Sequence, residues 1–350
     1  MIRTTKRPPT GHCTLPMYMG FLMSEPNSAN CSRLAEVMGI SHDSVNRFLL
    51  REAYEPQDLF NEAKGLLNLL GGTLSVDDST LDKPYSQHLA LVSHVWSGKH
   101  HRVVKGLNLI TLYYRDGQGR SLPVNYRVYD KAEHKTKNEY FREMLAQVLD
   151  WGLQPAFVTG DSWYACAENL KTVKNHPMGF LFAVESNRRV SLEKGHWVQV
   201  QHLDIPADGR LVWLREFGEV KLFRTRLKDP PRHYIVFLPD AERERYPVFN
   251  QGAFQRLHDQ HWCIEQYHRL IKQVCHIEHF QVRGAGPIRN HLFAALCSYV
   301  HLQRLQITEL ISSVYQWQRE LYQDVVASFI SSFIVGKDHL NPQFQPAVNA

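Results

Sequence analysis

The sequence predicts a mixed α/β fold with an N-terminal helical segment and a β-rich insertion. Three observations carry this expectation. Short apolar runs alternate with helical periodicity between Gly71 and Thr159, β-branched and aromatic runs crowd residues 180–240, and helical spacing returns after Gln251. At 350 residues, 43% of them hydrophobic, the chain is long enough for two or three domains around a sizeable core.

Residues 1–16 hold Arg3, Lys6 and Arg7 among Pro and Gly without periodicity, and read as a flexible basic arm, with order beginning near Tyr18. A helical, DNA-binding segment is expected over 17–70. Within it, SRLAEVMGISHDSVNRFLLR (Ser32 to Arg51) puts Leu34, Ala35 and Met38 on one face, permits a turn at Gly39 and caps a second helix with Ser41. This is helix-turn-helix spacing, and the second helix offers Asn46 and Arg47 to base edges or phosphate. An ordinary helical pair with no groove to enter carries the same pattern. A further helical stretch runs from Gln57 to Leu70.

The core is expected in two parts, 71–179 and 246–310. Gly71-Gly72 breaks the helical pattern, and Thr73 to Ser79 reads as a buried strand ending in carboxylates. Leu107 to Tyr114 and Leu122 to Tyr129 flank a turn at residues 115–119, a hairpin signal. An amphipathic helix over Asn138 to Trp151 follows, then a strand, Ala156 to Thr159, closed by Gly160-Asp161. Strand, hairpin, helix, strand is the opening of a ribonuclease H-like sheet, whose first and fourth strands lie side by side. The insertion, 180–245, holds β-rich runs at 197–200, 211–214, 220–223 and 234–238. Helices are expected at Gln251 to Val274, Pro287 to Leu302 and Ser312 to Phe333, the last within a C-terminal helix and tail, 311–350.

Lys and Arg number 40 against 35 Asp and Glu, a formal +5, with 19 His, so the charge leans mildly toward a polyanionic partner. The six cysteines form no Cys-x-x-Cys pair, and neither a leader nor a long apolar run is visible. A reduced, cytoplasmic, nucleoid-associated protein with no membrane contact is expected. His261, Cys263, Cys275, His276 and His279 cluster in sequence, but their spacing fits no common zinc finger or ribbon.

Three acidic motifs remain: SVDDSTLDK (Ser75 to Lys83) at a strand end, VTGDSWYA (Val158 to Ala165) at another, and HWCIEQYHRLIKQ (His261 to Gln273) on a helix. Phosphoryl transfer with two metal ions needs acidic oxygens converging from separate elements. With these motifs in this order, residues 71–300 resemble a cut-and-paste insertion-sequence transposase of the DDE superfamily. The resemblance implies a catalytic, metal-holding triad of Asp78, which precedes Ser79, with Asp161 and Glu265, and two Mg²⁺ ions that Mn²⁺ can replace. It also implies double-stranded DNA as partner, both terminal inverted repeats and target, and a homodimer assembled on it. Asp77 is the rival to Asp78, because adjacent strand residues face opposite sides and only one can point at the metals.

In that family the helical Glu is followed seven residues later by Lys, here Lys272, and helical spacing places Arg269 on the same face. Where many relatives carry Tyr and Arg seven and four residues before the Glu, this chain has His258 and His261. The basic run SGKHHRVVKG supplies Lys99, Arg102 and Lys105, which either track a DNA backbone or form a solvated loop. Trp163 and Tyr164 read as core aromatics, with base stacking as the alternative. Other classes stay open: a DNA-binding regulator descended from a transposase, or another nuclease of the same fold. A serine hydrolase is disfavoured, since Ser162 lacks the nucleophile-elbow glycines.

Overall fold

Strand β1 (Thr73–Asp82) explains the architecture, because Leu74 and Val76 alternate with Thr73, Ser75 and Asp77. One face is therefore apolar and the other polar. The computed structural model describes residues 11–334 apart from 28, 99, 194 and 226–230. In it, β1 runs antiparallel to β3 (Arg102–Arg115) and parallel to β5 (Phe157–Gly160). β3 also pairs with β2 (Ser93–Ser97) and β4 (Ser121–Val128), and β5 pairs in parallel with β6 (Gly179–Val184). Gly160 allows the close approach: a Cβ there would stand 2.6 Å from the Phe182 ring and 2.8 Å from Val76.

Each face of the sheet collects its own core. On the Leu74/Val76 side lie α5 (Lys137–Asp150) and α6 (Ala167–Asn175), contributing Phe141, Met144, Leu145 and Leu170. Thr136 and Glu139 form a reciprocal cap that starts α5. On the opposite side lie α7 (Gln251–Gln273) and α8 (Ala285–Ile307), which pack Ile264, Tyr267 and Phe293 against Leu81, Leu109 and Tyr113. Four N-terminal helices, α1 (Leu15–Ser24), α2 (Cys31–Met38), α3 (His42–Arg51) and α4 (Pro56–Ala63), border this side. Leu34, Val45 and Phe48 join the same cluster as α7 and α8, so the N-terminal segment shares the core.

Between α2 and α3 the predicted turn is present. Gly39 is left-handed at φ 62, and the Ser41 hydroxyl accepts the Ser44 N–H. The helix expected to reach Leu70 stops at Ala63, with a single 3-10 turn to Leu66, because Asn68 accepts the Leu70 N–H and Gly71 bonds to Gln154. The expected last helix is two, α9 (Val314–Glu320) and α10 (Gln323–Ile334). The arm read over 1–16 falls mostly outside the described residues, and α1 already begins at Leu15.

The β-rich stretch holds β7 (Arg189–Ser191), β8 (Trp197–Gln199), β9 (Arg210–Leu214), β10 (Gly218–Arg224) and β11 (His233–Phe237). Instead of standing apart, it extends the central sheet. β11 pairs antiparallel with β6, giving eleven strands in the order β2-β3-β1-β5-β6-β11-β10-β9-β7-β8, with β4 on β3. β6 would otherwise leave an apolar edge unpaired, and every residue of β11 is buried.

Candidate active site

Helix α7 crosses the polar face of β1, and a ladder of hydroxyl and imidazole groups joins them. Thr73 donates to the Gln260 amide oxygen, Ser75 Oγ lies 2.8 Å from Thr159 Oγ1, and Thr159 Oγ1 lies 3.1 Å from His261 Nδ1. Asp77 is the next residue on that face, 3.6 Å from His268 Nδ1. The β1/β5 register ends at Val76 opposite Gly160, so Asp77 and Asp161 follow side by side. Glu265 stands one helical turn beyond His261. Asp77, Asp161 and Glu265 line one cleft of about 770 Å³, together with His258, His261 and Trp262.

Charge crowding marks this cleft. Burial, then the charges of Asp161, Asp78 and Glu265, hold the Asp77 carboxyl well above the usual range. Asp161 is pushed up to about 6 by burial and by Asp78, against the opposing pull of the Trp163 and Tyr164 N–H groups it accepts at 2.9 and 3.4 Å. Burial pushes His261 down to about 4 and His268 to about 3, so near neutral pH neither neutralises an acid. Among the described residues no three His, Cys, Asp or Glu side chains form a ready-made metal cage. The donor chemistry still fits a divalent cation: hard carboxylate oxygens reach one cleft from three elements, and their mutual repulsion is what such an ion relieves.

A scan against known families matches residues 71–300 to the transposase DDE domain. The chain belongs to that family. Among solved structures, this transposase-family chain is similar to the piggyBac transposase in a synaptic complex with hairpin DNA, at 12% identity and a TM-score of 0.47, covering 95% of this chain and 77% of that one. It is also similar to the Drosophila P element transposase in a strand transfer complex, at 8% identity and a TM-score of 0.27, covering 54% and 48%. The search of curated proteins returned no match.

The two candidate first acids are placed differently, although the charge of Asp78 also acts on Asp161. Asp78, chosen because it precedes Ser79, points to the opposite face of β1. There its Oδ2 accepts Asn108 Nδ2 at 2.6 Å and Lys137 Nζ at 2.8 Å, and its Oδ1 accepts the Tyr164 hydroxyl at 3.1 Å. Asp77, not Asp78, lines the cleft with Asp161 and Glu265. Strand alternation accounts for the two placements: Asp77 continues Thr73 and Ser75, whereas Asp78 continues Leu74 and Val76. Lys137 had no signal beyond its charge.

The basic residues divide in two. Arg47 and Arg269 are exposed, as is Arg102, and Arg47 stands 3.9 Å from Asp43. Asn46 bonds to His42 at 3.0 Å. Lys272 instead donates to the Thr80 carbonyl at 2.6 Å and pairs with Glu278 at 3.2 Å, so it ties α7 to β1. Lys105 is likewise occupied by the Ser86 carbonyl, and Lys99 lies outside the described residues. His258 bonds the Tyr234 hydroxyl at 3.1 Å. Tyr164 is core, as expected, but Trp163 is 61% exposed. No helix among the described residues is long and apolar enough to cross a membrane.

Proposed function

We propose that this chain is a transposase that binds the ends of a mobile DNA element, cuts them and joins them to a target. The observation that carries the proposal is one cleft lined by Asp77, Asp161 and Glu265, three carboxylates from β1, the β5 end and α7 whose charges crowd each other. These three are the residues that would hold two Mg²⁺ ions, or Mn²⁺ in their place. When bound, the ions supply Lewis acidity for activating the attacking oxygen and stabilising the leaving one.

The chain's own part is positioning. Sheet register fixes Asp77 beside the β5 end, and two backbone N–H groups aim Asp161. The Ser75–Thr159–His261 ladder ties the Glu265 helix to both strands. The strand order β4-β3-β1-β5-β6 supports a ribonuclease H-like core. The capped α2–α3 pair supports a helix-turn-helix in which Asn46 and Arg47 meet DNA, with Arg102 and Arg269 as further phosphate contacts. Two ends must be handled together, so a homodimer on DNA belongs to the proposal.

The test is a gel assay with labelled terminal repeats in Mg²⁺, Mn²⁺ and EDTA. The expected result is metal-dependent nicking and strand transfer, lost in Asp161→Asn and Glu265→Gln while binding survives. A wild-type protein that binds these ends but cuts in neither metal is a regulator, and the proposal fails.

A further inference from the structure

We infer that Lys137 is a DNA phosphate contact beside the Asp161 loop, next to Trp163, and that Asp78 is the positioning residue that holds it there. The inference rests on the proposed reading of the cleft as a DNA site. Lys137 opens α5, where a cation works against the helix dipole. The helix does not need it, because the Thr136–Glu139 cap already satisfies the first turn. Its ammonium is nevertheless fixed, 2.8 Å from Asp78 Oδ2 and 5.4 Å from the centre of the Trp163 ring. Trp163 follows Asp161 by two residues, and the Lys137 charge acts on Asp161, favouring its ionised form.

Asp78 has the contacts of an anchor. Three donors, from Asn108, Lys137 and Tyr164, occupy it, out of about four acceptor sites on a carboxylate. Tyr164 holds Oδ1 and Asn108 holds Oδ2, the oxygen that Lys137 also meets, so both ends of the carboxylate are fixed where the ammonium binds. An ammonium has three N–H groups, and the bond to Asp78 uses one. The others remain for a phosphate oxygen lying between the acid cleft and the exposed Trp163 face. Two adjacent acids thereby have separate tasks: Asp77 faces the metals, and Asp78 sets the cation that receives the strand.

The experiment uses the full chain with two probes, Mn²⁺ alone by titration calorimetry and a fluorescein-labelled duplex oligonucleotide by anisotropy across a salt series. Lys137→Ala and Asp78→Asn should each reduce the slope of log affinity against log salt by about 0.9, one phosphate contact. The double variant should lose no more slope than either alone, Lys137→Arg should restore the slope, and Mn²⁺ binding should be retained in all of them, shifted at most severalfold because Lys137 and Asp78 act on Asp161 through charge. Asp77→Asn should lose Mn²⁺ affinity and keep the slope. An unchanged slope in Lys137→Ala overturns the inference, as does loss of Mn²⁺ binding in Asp78→Asn with retention in Asp77→Asn. If Asp78→Asn fails to fold by circular dichroism, the Lys137→Ala and Lys137→Arg pair decides. Wild-type protein that binds no Mn²⁺ defeats the strand-cutting reading, and the slope of Lys137→Ala still settles the phosphate contact separately.

Discussion

The two faces of strand β1 show how one stretch of backbone separates two kinds of acid. On the α7 face, Asp77 shares a cleft with Asp161 and Glu265, and burial, reinforced by like charges, holds its carboxyl well above the usual range. On the α5 face, one residue on, Asp78 is met by an ammonium, an amide and a phenol. Clustered repulsion stores an electrostatic cost that a bound cation can release, whereas saturation yields a rigid fixture. Adjacent identical residues thus have chemistry set by what faces them.

The strongest way to break this distinction is cleavage itself. Asp77→Asn and Asp161→Asn should each reduce cutting of labelled ends by about 10³-fold or more, roughly 4 kcal/mol in the barrier. Asp78→Asn should cost about tenfold in the same gel assay. Equal losses at both positions would erase the difference between the faces. Next in size is Gly160→Ala, which forces a methyl against the Phe182 ring and Val76 where β5 meets β1. A stability loss of about 1–3 kcal/mol should appear as a lower urea midpoint.

A pH series on metal-free protein probes the repulsive face. Because folding raises Asp161 from 3.8 to about 6, the folded chain binds more protons between those values, so its stability falls as pH rises through that window. Asp161→Asn should remove this decline and gain on the order of 1–2 kcal/mol above it, discounting for partial exposure. A variant that melts at the wild-type temperature at pH 7 would show that the cleft stores no such cost. Lys272→Ala should lose about 1 kcal/mol of stability, since it strips a partner from Glu278 and Thr80, and should leave the DNA salt slope unchanged. The smallest structural effect belongs to Arg47→Ala, an exposed residue whose pair with Asp43 contributes less than about 0.5 kcal/mol. Its melting curve should match wild type while its affinity for terminal repeats falls.

Much of this was legible because the relevant patterns are periodic. The hairpin, the helix over residues 137–150 and the long helix carrying Glu265 follow strong apolar repeats, and Asp161 sits where a short apolar run ends. The motif, an acid before Ser, selects Asp78, whereas strand parity groups Asp77 with Thr73 and Ser75, so the cleft position of Asp77 was legible from alternation and not from the motif. Helical spacing grouped Lys272 with Glu265 and Arg269, but its contacts with Thr80 and Glu278 come from other elements that spacing along α7 cannot reveal. Strand β2 went unread because His94 and Ser97 dilute a five-residue run, and pairing with β3 rather than propensity supports it.

The unbroken sheet has a mechanical consequence. β6 bonds on one edge to β5, which ends at Asp161, and on the other to β11, so the far strands β8 and β7 connect to the second acid through backbone bonds alone. A sheet twists under load but has no joint at which to fold. A displacement of the distal strands is therefore passed along the hydrogen-bonded sheet toward β5, whose end carries Asp161, rather than being taken up at a hinge between two separate sheets.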